Sequence, residues 1–166
     1  MTVDLASAEH ASYMDVALDE AKRAAELSEV PVGAVVVYDG EIVARAHNLR
    51  ETAADPLAHA EILAIRQAAE VLGRWRLTGC TLYVSLEPCP MCAGAIVNAR
   101  VERLVFGARD PRAGAAGSIY DIVRDDRLNH SPEVIEGIRA ESASRMLSEF
   151  FAGLRRRAKG RETDQE

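Results

Sequence analysis

Two short stretches hold residues whose types and spacing suit metal chemistry: His59-Ala60-Glu61 and Pro88-Cys89-Pro90-Met91-Cys92. Proline is favoured at the first position of a helix, where its missing N–H would have no partner anyway. That places Cys89 at the mouth of a helix and Cys92 one turn in. Two thiolates so spaced can grip one ion, and the free amides and positive end of the helix lower the cost of their charge. His59, also at an apparent helix start, supplies a third ligand. Three protein ligands with the fourth position left to water mark a catalytic zinc rather than a structural one. Such a zinc lowers the pKa of its water from about 15.7 to about 7. A carboxylate beside the metal but not bound to it can then move the proton, and Glu61 is the candidate. Glu87, the competing carboxylate in the motif, reads as a structural hydrogen-bond acceptor. The rival is a closed Cys₃His clip completed by Cys80, although Cys80 precedes a strand and reads more simply as a small buried hydrophobe. His10, His47 and His130 have no partner at ligand spacing and read as surface or strand-end residues.

The elements that must position these groups follow from patterning. Apolar residues recur at helical spacing from about Glu9 to Ser28, an amphipathic helix with no chemistry in it, ended by Pro31. Val32 to Tyr38 and Glu41 to His47 read as strands joined by Asp39-Gly40, a strong hairpin signal. Asn48 ends the second strand, either as a turn former or as an amide aimed at a ligand. After a polar loop, Asp55-Pro56 reads as a helix cap and first-turn proline, and Gly73 closes that helix. Residues two apart on a regular helix point to nearly opposite sides. His59 and Glu61 can therefore share a site only if the helix becomes regular near His59. Thr81 to Leu86 and Arg103 to Ala108 flank the cysteine helix as a parallel strand–helix–strand crossover. The cysteines then lie at the C-terminal end of a strand, where open α/β sheets bind ligands. Ser118 to Arg124 reads as a short helix, Glu133 to Gly137 as a last strand, and Arg139 to about Lys159 as a final amphipathic helix. Gly160 to Glu166 reads as a disordered tail after a single domain over 1–159.

Composition narrows the class. A chain of 166 residues is most simply one domain with one good core. No apolar run approaches the roughly 20 residues of a membrane span, and no signal peptide is evident, so the expectation is a cytoplasmic protein without a membrane partner. Three cysteines make no disulfide framework, and the C-x-x-C pair suits a reducing compartment. The net charge of −6 argues mildly against a large nucleic-acid footprint. Arg155, Arg156, Arg157, Lys159 and Arg161 nevertheless cluster, either as a solvated helix end or as a phosphate patch.

H-x-E with P-C-x-x-C is the signature of zinc deaminases acting on nucleobases. Beyond it, Val30-Pro31-Val32-Gly33-Ala34-Val35, Phe106-Gly107-Ala108-Arg109-Asp110, Gly114-Ala115-Ala116-Gly117-Ser118 and Phe150-Phe151 resemble the bacterial tRNA-specific adenosine deaminases. The resemblance runs from roughly Met14 to Arg157. It implies a three-layer α/β/α sandwich with a five-stranded mixed sheet, cytidine deaminase-like, and a homodimer with active sites near the interface. It implies zinc, one ion per subunit, held by His59, Cys89 and Cys92. The implied reaction converts the wobble adenosine of a tRNA anticodon to inosine and releases ammonia, with attack at carbon six of adenine and Glu61 as proton shuttle. Asn48 would hold the flipped nucleotide and Asp110 a ribose hydroxyl of the anticodon stem-loop, a contact suited to RNA rather than DNA. An anticodon loop is already unpaired, so extruding its base costs less than opening a duplex. The alternative within the same chemistry is a deaminase of free guanine, cytosine or nucleosides.

Overall fold

The computed structural model describes residues 5–163. Helix α1 (Leu5–Glu26) leads into strands β1 (Gly33–Tyr38) and β2 (Glu41–His47), then helix α2 (Ala60–Leu72) and strand β3 (Cys80–Leu86). Helix α3 (Pro90–Asn98), strands β4 (Arg103–Ala108) and β5 (Glu133–Glu136) and helix α4 (Ala140–Thr163) complete the chain. The strands form one mixed sheet in the order β2-β1-β3-β4-β5, with β1 antiparallel to β2 and β3, and β3, β4 and β5 parallel. The expected five-stranded mixed sheet is therefore present.

Strand alternation builds two cores from one sheet. Ala34, Val36, Leu82, Val84, Leu104 and Phe106 pack against Ala60, Ala64 and Ala68 of α2 and Ala93 and Ile96 of α3. The intervening Val35, Val37, Tyr83 and Val105 pack against Met14 and Ala17 of α1. Period-two residues facing opposite sides is what a sheet covered on both faces requires. Small alanines on α2 bring that helix close, and Ala143 of α4 meets Leu18 and Ala108 beside α1.

Asp39 and Gly40 carry positive φ of 51° and 75°, the conformation a tight β1–β2 turn needs. Gly33 is required for a different reason. A Cβ there would lie 1.9 Å from the Ala17 carbonyl oxygen and 2.5 Å from the Ala21 nitrogen, so α1 rests directly on the β1 backbone. Gly73 ends α2 at φ 65°, its N–H and that of Arg74 bonded to the Glu70 and Ala69 carbonyls.

Three elements differ from expectation. Asp55 does not cap α2: its Oδ1 accepts the Leu57 N–H at 2.8 Å in a separate turn, and the extended backbone of His59 (ψ 150°) lies between that turn and the helix. Residues 118–124 form no helix, because the Ser118 N–H is bonded to Glu87 and the segment folds back in an Ala116–Asp121 bridge. Helix α4 continues past Gly160 to Thr163, where a tail was expected. One glycine costs a helix only about 1 kcal/mol, and flanking Arg and Lys are good helix formers. Residues 164–166 lie outside the described residues.

The three remaining histidines are half-buried and partnered rather than superficial. His10 Nδ1 lies 2.8 Å from the Tyr83 hydroxyl, and His130 meets the Val101 carbonyl. His47 Nδ1 lies 2.8 Å from Glu20, a buried carboxylate on α1 that also receives Arg45 and Arg23. Burial pushes the Glu20 carboxyl up, but the bonds from His47 and Arg45 and the charges of Arg23 and Arg45 outweigh it and hold the group below its usual range.

Two outcomes follow from this packing. Gly33→Ala should destabilise the fold by about 2–3 kcal/mol or more, read as a lowered urea midpoint. A carboxylate with a depressed folded pKa stabilises above the unfolded value and loses that contribution as pH falls through the folded one. The stability gap between wild type and Glu20→Gln should thus be full above about pH 5 and shrink on acidification.

Candidate metal centre

His59 and Cys89 occupy equivalent places in the architecture. His59 is the N-cap of α2 (φ −74°, ψ 150°) and Cys89 the N-cap of α3 (φ −72°, ψ 172°), with Pro90 following at the first helical position. An N-cap side chain ordinarily accepts a backbone N–H of the first turn. Neither does so here, which leaves both side chains free to point at a common centre. Because α2 becomes regular only at Ala60, His59 and Glu61 escape the opposite-sides constraint and line one cavity.

The ligand atoms converge. His59 Nδ1 lies 3.6 Å from Cys89 Sγ and 3.5 Å from Cys92 Sγ, and the three donors lie within 4.8 Å of one another. A tetrahedral zinc with Zn–S about 2.3 Å and Zn–N about 2.05 Å would set each nitrogen–sulfur separation at about 3.6 Å. The donor set and its spacing therefore fit zinc. Cys80 does not join the cluster; it is fully buried at the start of β3, paired in register with Tyr38. Two helix N-termini meet at this point, and their dipoles favour anionic sulfur.

Electrostatics reflect the crowding. Contact with Cys92, and after it with His59, holds the Cys89 thiol down to about 4, while the same contact pushes Cys92 up. The Cys89 sulfur in turn raises His59. Glu61 is 4% exposed, and burial pushes its carboxyl up to about 7. A cation held among these groups would neutralise their charges together.

The surrounding cavity, about 160 Å³, is lined by His59, Glu61, Cys89, Asn48, Asp110 and Glu87 among others. Asn48 is 7% exposed; its Oδ1 accepts the Arg50 N–H at 3.1 Å and its Nδ2 donates to the Val30 carbonyl at 3.3 Å. One Nδ2 hydrogen and one acceptor lone pair remain. Asp110 Oδ1 accepts the amides of Arg112 and Ala113, which turns the chain after β4 at the cavity's edge. A second cavity of about 540 Å³ shares Val30, Leu86 and Asp110 with the first and extends past Arg112 to Phe151 and Arg155 of α4.

Glu87 accepts the amides of Asp110, Ala116 and Ser118 and the Ser118 hydroxyl. Burial pushes its carboxyl up, but these bonds together hold it below the usual range. Sequence reasoning assigned it a structural bond without naming partners that lie 23 to 31 positions away. The Glu20–His47 pair was missed outright, since nothing in local spacing ties those positions together.

A model of the MafB19-like deaminase family matches residues 8–155. The tRNA-specific adenosine deaminase of Bacillus subtilis (strain 168) is 55% identical over 147 residues, covering 89% of this chain and 91% of the relative. A structure solved in a study of A-to-I editing by tRNA:A34 deaminases at the wobble position matches with a TM-score of 0.80 and 46% identity, covering 82% of this chain and 99% of the other. The guanine deaminase of Bacillus subtilis matches less well, with a TM-score of 0.58 and 41% identity over 68% of this chain and 71% of the other.

Metal analysis checks the ligand assignment directly. The purified protein should carry one zinc per chain. Cys92→Ala and His59→Ala should each weaken zinc retention against a chelator by well over roughly tenfold, more than the loss of an outer-shell group costs. Glu61→Gln and Cys80→Ala should retain it.

Proposed function

Because the chain belongs to the MafB19-like deaminase family, we propose that it deaminates the wobble adenosine of a tRNA anticodon hydrolytically, giving inosine and ammonia. The support is the activity for which the Bacillus subtilis relative, matching across nearly the whole chain, is named, together with one feature of the surface. The small cavity at the metal ligands shares Val30, Leu86 and Asp110 with a much larger one. A base-sized pocket is enough for a free nucleobase. A groove adjoining it, with Arg112 and Arg155 for phosphates and the exposed ring of Phe151 for stacking, suits a strand beside an extruded base. The match to a guanine deaminase favours a free-base substrate as the second reading, but that reading leaves the groove without a role.

Zinc, held by His59, Cys89 and Cys92, would supply Lewis acidity that makes water a nucleophile at neutral pH. The chain's own groups do the rest. Glu61 takes one proton from the attacking water and gives it to the ring nitrogen, then carries the second, from the newly added hydroxyl, to the departing amine, which leaves as ammonia. Its near-complete burial keeps bulk solvent away from that transfer. Asn48, fixed by Arg50 and Val30, offers its remaining donor and acceptor to the flipped nucleotide. Asp110 has a second carboxylate oxygen for a ribose hydroxyl, since Oδ1 is engaged by the loop. An acidic chain that binds RNA must rely on this local basic groove and the cluster from Arg155 to Arg161 rather than on overall charge. The same proposal includes a homodimer and a cytoplasmic location. No helix among the described residues is long and apolar enough to cross a membrane.

The test is to incubate the zinc-loaded protein with an anticodon stem-loop bearing adenosine at the wobble position, and separately with guanine, cytosine and adenosine. Inosine and ammonia should appear in equal amounts from the RNA alone. Release of ammonia only from free bases contradicts the proposal. Glu61→Gln should lose about 10²–10⁴-fold in kcat. Phe151→Ala should raise KM by roughly 5- to 100-fold, the worth of one stacked base.

A further inference from the structure

Among the described residues, the connection from β4 to β5 is the one parallel crossover made without a helix. Residues 109–132 cross irregularly, yet their first residues line both cavities: Asp110 and Ala113 the smaller, Arg109 to Arg112 the larger. Irregular segments of this length need something to hold them. The Glu87 carboxylate, 2% exposed and two residues before Cys89, meets that need. Its Oε2 accepts the Asp110 N–H at 2.8 Å and the Ser118 hydroxyl. Its Oε1 accepts the N–H groups of Ala116 and Ser118 at 3.1 and 2.9 Å. Gly114 packs directly on the carboxylate, since a Cβ there would lie 2.4 Å from Cδ. The Ala115 N–H meanwhile bonds to the Pro88 carbonyl, and the Glu87 N–H to that of Ala108.

We propose that Glu87 is a positioning residue that locks the substrate-side loop 110–118 onto the metal-binding segment, and so sets where Asp110 stands relative to the zinc ligands. It touches neither metal nor substrate in this role; it acts through Asp110. All four donors belong to the loop, whereas a carboxylate serving the metal would bond to His59 or a cysteine, and the hydrogen bonds of Glu87 include none of these. Gly114 belongs to the same device, since only a residue without Cβ lets the loop close over the carboxylate. The kinetic part of the proposal rests on RNA being the substrate; the structural part does not.

Glu87→Gln keeps the size of the side chain but turns one acceptor oxygen into an NH₂ facing donors. Amide exchange followed by mass spectrometry should show peptides from 109–118 exchanging at least about tenfold faster, with peptides from α3 unchanged and zinc content still one per chain. On the anticodon stem-loop, KM should rise about tenfold while kcat falls less than threefold. Asp110→Ala should do the same, and the double variant should be no worse than the Asp110 variant alone, as expected for two residues acting through one contact. Ser118→Ala, which removes a single bond and is safer for folding, should shift exchange and KM the same way by a smaller factor. Unchanged loop exchange in both Glu87→Gln and Ser118→Ala overturns the proposal, whatever the substrate. So does loss of zinc and kcat with KM unaltered, or full additivity with Asp110→Ala. Wild-type protein inactive on RNA but with loop exchange responding as described would overturn only the substrate assignment.

Discussion

Everything in this molecule depends on one imidazole nitrogen and two sulfurs held about as far apart as a tetrahedral zinc requires. No single element could achieve that. The imidazole comes from the head of α2 and the sulfurs from the head of α3, and the two helices lie on the same face of the sheet over one core. Each helix gives up its side-chain cap to do so, a loss of the order of 1 kcal/mol apiece in an ordinary helix. A metal ion held there would offset that loss, since binding to a site formed only in the folded chain adds to folding free energy. The site is thus a place where local helix stability is surrendered for a shared centre.

The second constraint is the wall opposite the ligands. Crossovers between parallel strands are usually covered by a helix, but the one from β4 to β5 has none and its first residues line the larger cavity. A buried carboxylate with four donors does the work that helical hydrogen bonds would otherwise do. Burial without such partners would be costly, and their presence explains why an acidic group can sit at 2% exposure two residues from Cys89. On the far face, Glu20 plays a comparable part by tying α1 to β2 through Arg45 and His47. Both are cases where charge is buried to fix a connection between elements distant in sequence.

Much of the centre was legible because its signals are local. His59-x-Glu61 and Pro88-Cys89-x-x-Cys92 announce ligands, a nearby carboxylate and helix starts within a few residues. The demand that His59 sit at the helix mouth followed from helical periodicity alone and agrees with the observed N-cap. The hairpin at Asp39-Gly40 and the β3–α3–β4 crossover were equally local. What was hidden is what depends on tertiary partners. Asp55-Pro56 carries every sign of a helix cap, yet the backbone is extended at His59 and the helix begins only at Ala60. Ser118 begins a passable helical pattern, yet its amide is claimed by Glu87. No spacing rule joins Glu20 to His47 or Glu87 to Ala116, because those contacts exist only after the sheet has formed.

The most direct measurement is X-ray absorption at the zinc edge of the purified protein. The account predicts a four-coordinate ion with two sulfur ligands at about 2.3 Å and two lighter donors near 2.0 Å, one the His59 imidazole and one from solvent. A third sulfur in the first shell, lost in Cys80→Ala, would mean a closed structural site and would contradict the catalytic centre described above.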